Sequence, residues 1–298
     1  MNMEVIKMDQ RNDINSESES VRRTGAHSAK KAKRRRARIA IRIGLCVCAA
    51  VFVVGGVIAG KAWIENSRAD KAYDTLRLQL QKDAYDDSIS AEALSVPIET
   101  PVPEEGGLTV RTSAMDFAPL GEINSEIVAW LACEGTVIDY PVLRAEDNDY
   151  YLNHLYTKES NRMGSLFMDY RNTGLFTDRN TVIYGHNMQS GAMFNTLSEY
   201  KAQDYYDAFP TMKLYTPAGD YTIELFAGTV EDGNYEFVQF EFGDDDAFMA
   251  YVDAFRARST FQSDVVVEPT DQIVILCTCS YERNNARYIV MGRLVPEA

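Results

Sequence analysis

The most prominent pattern in the chain is an unbroken apolar run. From Ile43 to Gly60, IGLCVCAAVFVVGGVIAG continues for 18 residues without a charged side chain. A helix of that length rises about 27 Å, close to the roughly 30 Å hydrocarbon core of a bilayer. Arg42 and Lys61 bound the run, and Trp63 stands where an aromatic ring suits the membrane interface. A cleaved signal peptide occupies roughly the first 15–30 residues of a chain, whereas 42 residues precede this run, so it reads as a spanning anchor. Ala62 to about Tyr85 then has neither Gly nor Pro and is rich in helix formers, which predicts a helix. Ser95 to Gly107, SVPIETPVPEEGG, carries three prolines, three glutamates and two glycines, the composition of an extended linker.

Beyond the linker the pattern shortens to β-rich runs separated by Gly, Pro and Asn. They are TVIDYPVL (Thr136–Leu143), GSLFMDY (Gly164–Tyr170), NTVIYGH (Asn180–His186), MKLYT (Met212–Thr216), DYTIELFAGTV (Asp220–Val230), QIVILCTC (Gln272–Cys279) and RYIVMGRL (Arg287–Leu294). Strands at this spacing predict a sandwich or closed barrel rather than a βαβ fold. Two stretches read as helices. INSEIVAWL (Ile123–Leu131) offers Asn124 or Ser125 as N-cap. FGDDDAFMAYVDAFRAR (Phe242–Arg258) opens with three aspartates that favour a helix N-terminus, and Phe248, Tyr251, Val252 and Phe255 follow at helical spacing. The expected organisation is a basic tail over 1–42, an anchor over 43–60, a helix and linker over 61–119 and a globular domain over 120–298. Residues 1–29, polar and without periodicity, read as disordered.

Charge sharpens this division. The formal charge of −14 averages two unlike parts. Residues 1–42 hold 12 basic and 5 acidic side chains, a net +7, and the remainder holds 18 and 39, a net −21. The basic run Lys30–Arg42 abuts the apolar segment, and positive flanks stay inside, so the N-terminus is expected in the cytoplasm and everything after Lys61 outside. An acidic body speaks against nucleic acid as a partner, since nothing there neutralises phosphates.

Of five cysteines, Cys46 and Cys48 lie in the anchor, leaving Cys133, Cys277 and Cys279 for the exported part. An odd number cannot be fully paired, so at least one thiol is free or used between molecules. In QIVILCTC the residues Ile273, Ile275, Cys277 and Cys279 share one strand face. If RYIVMGRL pairs with this strand, Cys279 and Arg287 lie nearly opposite, with Cβ atoms about 5 Å apart. A thiol needs a partner base to supply thiolate, and an always-charged guanidinium suits a developing oxyanion. His186, which ends a strand after Gly185, is the preferred base over His154, and His27 lies in the cytoplasmic tail. Zinc held by Cys277, Cys279 and a histidine is a weaker alternative because Cys-x-Cys lacks the usual ligand spacing. A non-enzymatic adhesin or scaffold is the remaining one. Neither a cofactor nor a metal is expected.

TVIYGHNM, ILCTCSY and an arginine eight positions after Cys279 resemble the sortases, the membrane-anchored cysteine transpeptidases of Gram-positive surfaces. WLACEGTVIDYPVL, DNDYYLNH, GSLFMDYRN and YGHNMQSGAMF resemble class B members in particular, over about Ile123 to Leu294. Two positions depart from the TLxTC-like motif: Ile275 replaces its first Thr, and its variable position is Cys277. The resemblance implies a closed eight-stranded barrel with an N-terminal helix and a helix inserted before the nucleophile strand. It makes Cys279 the nucleophile, His186 the histidine and Arg287 the arginine, with Cys277, Thr278 and Ser280 beside the substrate. It further implies a thioester formed at a Thr in the C-terminal sorting signal of an exported protein, resolved by a peptidoglycan cross-bridge amine. Resolution by water instead would make the protein a surface cysteine peptidase.

Overall fold

The computed structural model describes Arg35 and residues 42–80, 113–234, 237–280 and 285–297. The expected disorder of 1–29, the linker at 95–107 and the end of the helix beyond Leu80 lie outside the described residues, as does most of the basic run. The chain divides into two compact units, Met1–Ile64 and Glu65–Ala298. Helix α1 covers Arg42–Leu80, and among the described residues it is the one helix long and apolar enough to cross a membrane.

In the second unit, α1 residues Ala69, Tyr73 and Leu76 are buried, an i, i+4, i+7 stripe that faces the barrel as helical periodicity requires. Tyr73 donates from its hydroxyl to the Gly164 carbonyl at 3.0 Å and shares a hydrogen bond with Ser165 Oγ at 2.9 Å. Its ring meets Tyr140 edge-on at 5.1 Å, and the Arg77 guanidinium lies 4.7 Å over the same Tyr140 ring. The compact unit that begins at Glu65 thus includes this part of α1 together with the barrel, and the stripe of Ala69, Tyr73 and Leu76 is buried there.

Eight strands close a barrel in the order β1 (Ile127–Ala132), β2 (Asp139–Leu143), β3 (Leu166–Met168), β4 (Asn180–Tyr184), β7 (Ile273–Ser280), β8 (Ala286–Pro296), β6 (Tyr221–Asp232) and β5 (Thr211–Tyr215), with β5 returning to β1. β2–β3 and β4–β7 pair in parallel and the rest antiparallel. Closure removes free sheet edges. Short helices α2 (Ala118–Ile123) and α3 (Gln203–Ala208) and a 3-10 helix at Asn195–Lys201 cover the ends. Helix α4 (Asp245–Arg256) is inserted between β6 and β7 as expected. The Asp244 side chain caps it by accepting from the Ala247 amide at 2.8 Å, and Phe248, Val252 and Phe255 are its buried face.

One expected helix is a strand. INSEIVAWL supplies β1, paired on one side with β2 and on the other with β5. Asn124 caps no helix start there. It ends α2, and its Oδ1 accepts from the Glu126 amide, turning the chain into β1. The apolar residues fit a helical period, but two neighbouring strands satisfy the backbone on both edges, and tertiary pairing overrides so weak a local preference.

Candidate active site

The end of β7 is built by its two neighbours. Across the antiparallel β7–β8 hairpin Cys279 is the direct register partner of Arg287, and Cys277 of Ile289. The next strand continues the row, placing Glu231 of β6 opposite Arg287. Glu231 is engaged by Arg258 at 3.0 Å and by the Thr229 hydroxyl at 2.7 Å. On the other side of β7 the parallel partner β4 sets Tyr184 opposite Cys277. The Gly185 amide adds one further bond to the Cys277 carbonyl at 3.0 Å. There the chain leaves the sheet, and His186 follows. A Cβ on Gly185 would fall 2.4 Å from Leu166 Cδ2 and 2.6 Å from Phe194 Cδ2, so glycine is required by close packing.

Cys279, His186 and Arg287 all line one cavity of about 390 Å³, together with Cys277, Thr278, Tyr184 and Leu152 among others. Cys279 is half-buried, while Cys277 is buried. Burial pushes the Cys277 thiol up and the nearby Arg287 charge opposes this only in part, so Cys277 is the inert member of the pair. His186 Nε2 lies 2.7 Å from the Leu152 carbonyl. A carbonyl only accepts, so Nε2 carries a hydrogen and Nδ1 is the nitrogen that can exchange its proton. His154 is elsewhere: its ring stacks on Tyr150 at 4.0 Å and its Nδ1 bonds the Tyr150 carbonyl at 2.7 Å.

Thr278 lines the cavity, and its hydroxyl donates to the Gly185 carbonyl at 2.8 Å. Ser280, expected beside the substrate, is buried and does not line the cavity. Its Oγ accepts from Lys201 at 3.2 Å.

The opposite wall has residues the sequence did not single out: Asn148, Asp149, Phe167 and Arg171. Behind them the fully buried Asp169 accepts from Arg171 at 2.8 Å, from the Tyr184 hydroxyl at 2.9 Å and from Asn148 at 3.0 Å. Burial alone would raise this carboxyl, but the Arg171 and Tyr184 hydrogen bonds outweigh it and hold it below its ordinary value. In the sequence Asp169 and Tyr170 end the expected strand GSLFMDY, which the structure shortens to Leu166–Met168, and GSLFMDYRN carries a resemblance only; the convergence on one carboxylate needs the fold. A larger cleft of about 660 Å³ includes Glu224, Val266 and Arg293. It lies at the other end of the hairpin, where Arg293 pairs with Ile273. Among the described residues no group of three or more His, Cys, Asp or Glu side chains is arranged to hold a metal ion.

No protein-family model matches the chain. Sortase B of Listeria monocytogenes is 34% identical over 247 residues, which cover 82% of this chain and 92% of that protein. Sortase B of Staphylococcus aureus is 31% identical over 181 residues, 60% of this chain and 74% of that one. Among solved structures, a Staphylococcus aureus sortase B–substrate complex matches with a TM-score of 0.59 and 30% identity, covering 61% of this chain and 85% of that one. Sortase B from B. anthracis in complex with AAEK1 matches with a TM-score of 0.57 and 34% identity, covering 61% and 84%. With this kinship, its closed barrel and a thiol paired in register with a guanidinium, the chain belongs to the sortase B family and is a sortase-type cysteine transpeptidase.

Proposed function

We propose that Cys279, His186 and Arg287 carry the transpeptidation, and that the substrate is an exported protein with a Thr-containing sorting signal near its C-terminus. The observation that carries this reading is the single cavity lined by all three side chains, with Cys279 and Arg287 in direct register. The Cys279 thiolate attacks the carbonyl carbon after the Thr, and the electron pair moves onto oxygen beside the Arg287 guanidinium. When the tetrahedral centre collapses, the C–N bond breaks and the departing amine takes a proton from the His186 imidazolium at Nδ1. A thioester remains on Cys279. An incoming amine, which we assign to a cell-wall peptide cross-bridge, attacks it and loses a proton to the imidazole, and the thiolate departs. The Leu152 carbonyl holds the ring through Nε2, leaving Nδ1 for both transfers. Cys277 and Thr278 form part of the groove wall.

The same reading orients the chain. Helix α1 fits a single membrane anchor, the basic residues up to Arg42 stay in the cytoplasm, and the barrel faces the wall of a Gram-positive cell. We keep the division into a basic tail over 1–42, an anchor over 43–60, a juxtamembrane helix and linker over 61–119 and a catalytic domain over 120–298, with Ala69, Tyr73 and Leu76 of that helix buried in the unit that holds the barrel.

Mass spectrometry of the purified protein with a panel of Thr-containing pentapeptides tests the reading. A thioester on Cys279 that is lost in Cys279→Ala, and that an added amine converts to an amide product, is expected. Hydrolysis alone, undiminished by excess amine, would make the enzyme a peptidase. Adduct formation that persists without Cys279 would remove it as nucleophile.

A further inference from the structure

We propose that Asn187 is a positioning residue for this reaction, its side-chain amide replacing the sheet hydrogen bond that is lost where His186 departs from β4. The inference rests on the assignment of Cys279 and His186 made above.

The parallel β4–β7 ladder runs regularly up to Tyr184 opposite Cys277 and closes with the Gly185 amide on the Cys277 carbonyl at 3.0 Å. Bonds in a parallel ladder recur every second residue. Had the strand continued, the backbone amide of residue 187 would have bonded the Cys279 carbonyl. The chain instead turns out of the sheet to present the imidazole, and at that point two side chains take over. Thr278 Oγ1 donates to the Gly185 carbonyl at 2.8 Å. Asn187 Nδ2 donates to the Cys279 carbonyl at 2.9 Å. The residue beside the base is thus tied to the backbone of the nucleophile itself.

The amide is in turn held by the 3-10 helix at Asn195–Lys201. Asn195 Nδ2 donates to Asn187 Oδ1 at 2.7 Å, which turns Nδ2 of Asn187 toward Cys279, and that nitrogen also reaches Ser198 Oγ at 3.2 Å. The same helix reaches past the nucleophile, with Lys201 Nζ on Ser280 Oγ at 3.2 Å and 5.0 Å from the Tyr288 ring centroid. The turn after His186 is closed by the Phe194 amide on the His186 carbonyl at 2.9 Å. Thiol and imidazole therefore share one polar frame, although they come from different strands. A misplacement of about 1 Å costs catalysis up to about 100-fold, and Asn187 is where the frame couples the two groups. Asn187 is not among the residues that line the cavity, whereas its neighbour His186 is.

The test uses the full chain in detergent, with the Thr-containing pentapeptide that forms the most thioester on the wild type. Asn187→Ala removes donor and acceptor, whereas Asn187→Asp keeps the acceptor for Asn195 and replaces the donor with a charged oxygen facing the Cys279 carbonyl. Both should lower kcat by about 10- to 100-fold with KM within about threefold. Tm read by intrinsic fluorescence should stay far enough above the assay temperature that both variants remain folded during turnover. Wild-type kcat in Asn187→Asp would overturn the proposal, as would a loss confined to KM. A Tm lowered to the assay temperature, with kcat regained on cooling below it, would assign Asn187 to folding alone and overturn it equally. Failure of the proposed chemistry would instead appear in the wild type, as peptide turnover that survives Cys279→Ala.

Discussion

Replacing Tyr73 with Phe tests whether the part of α1 that follows the apolar run is a structural part of the unit that holds the barrel. The Tyr73 side chain is 2% exposed, and its hydroxyl satisfies the Gly164 carbonyl and contacts Ser165 Oγ. Ser165 retains a second bond, to the His154 carbonyl at 3.0 Å. The Gly164 carbonyl is therefore the group most exposed to loss, and an unsatisfied buried acceptor costs about 1–3 kcal/mol. For a unit of this size each kcal/mol moves Tm by about 2–4 °C, so a cost near 2 kcal/mol lowers Tm by about 4–8 °C. Tyr73→Ala also removes the ring packed on Tyr140 and should cost about 3–5 kcal/mol. Intrinsic fluorescence during thermal unfolding of the full chain in detergent measures both. Leu78→Ala, at a position 66% exposed on the same helix, should leave Tm within about 1 °C. The Tyr140 hydroxyl accepts from the Met193 amide at 3.3 Å, in the segment following His186, so activity should fall with stability. Equal Tm values for Tyr73→Phe and wild type would refute the argument and make the helix a tether that merely lies against the barrel.

Three further expectations follow from the site. Arg287→Ala should lower kcat by about 100- to 1,000-fold, the loss typical of one oxyanion donor; steady-state kinetics showing less than a tenfold change would remove Arg287 from that role. Iodoacetamide should label Cys279 in the native protein and spare Cys133 and Cys277, whose thiols burial raises; peptide mapping after denaturation should then find all three labelled, and native labelling of Cys277 would contradict its burial. Asp169 has a depressed folded-state pKa. Its contribution is present above the unfolded value near 3.8 and is lost as pH falls through the lower folded value. Tm of the wild type should therefore drop more steeply below about pH 4 than that of Asp169→Asn, and parallel pH profiles would show that the carboxylate is uncoupled from stability.

Much of this protein was written locally. An apolar run bounded by charge, the 3.6-residue spacing behind three aspartates in α4 and the alternation in the β7–β8 hairpin each need only near neighbours in sequence. Cys279 opposite Arg287 was legible for the same reason, since the two strands follow each other closely in sequence and their alternation restricts the register. β1 was not legible. Its partners β2 and β5 arrive from different parts of the chain, and they decide between two periods that the residues fit almost equally.

The sequence by itself determined the chemistry on offer: one thiol at a strand end, a guanidinium across from it, and an imidazole after a glycine. Only the tertiary structure decided that these meet. His186 comes to line the same cavity as Cys279 through a parallel pairing of strands almost 90 residues apart, and Asp169, Asn187 and Tyr73 make hydrogen bonds to groups 15, 92 and 91 residues away. Such contacts leave no periodic trace along the chain, because they depend on how the barrel closes and on which buried polar groups that closure must satisfy.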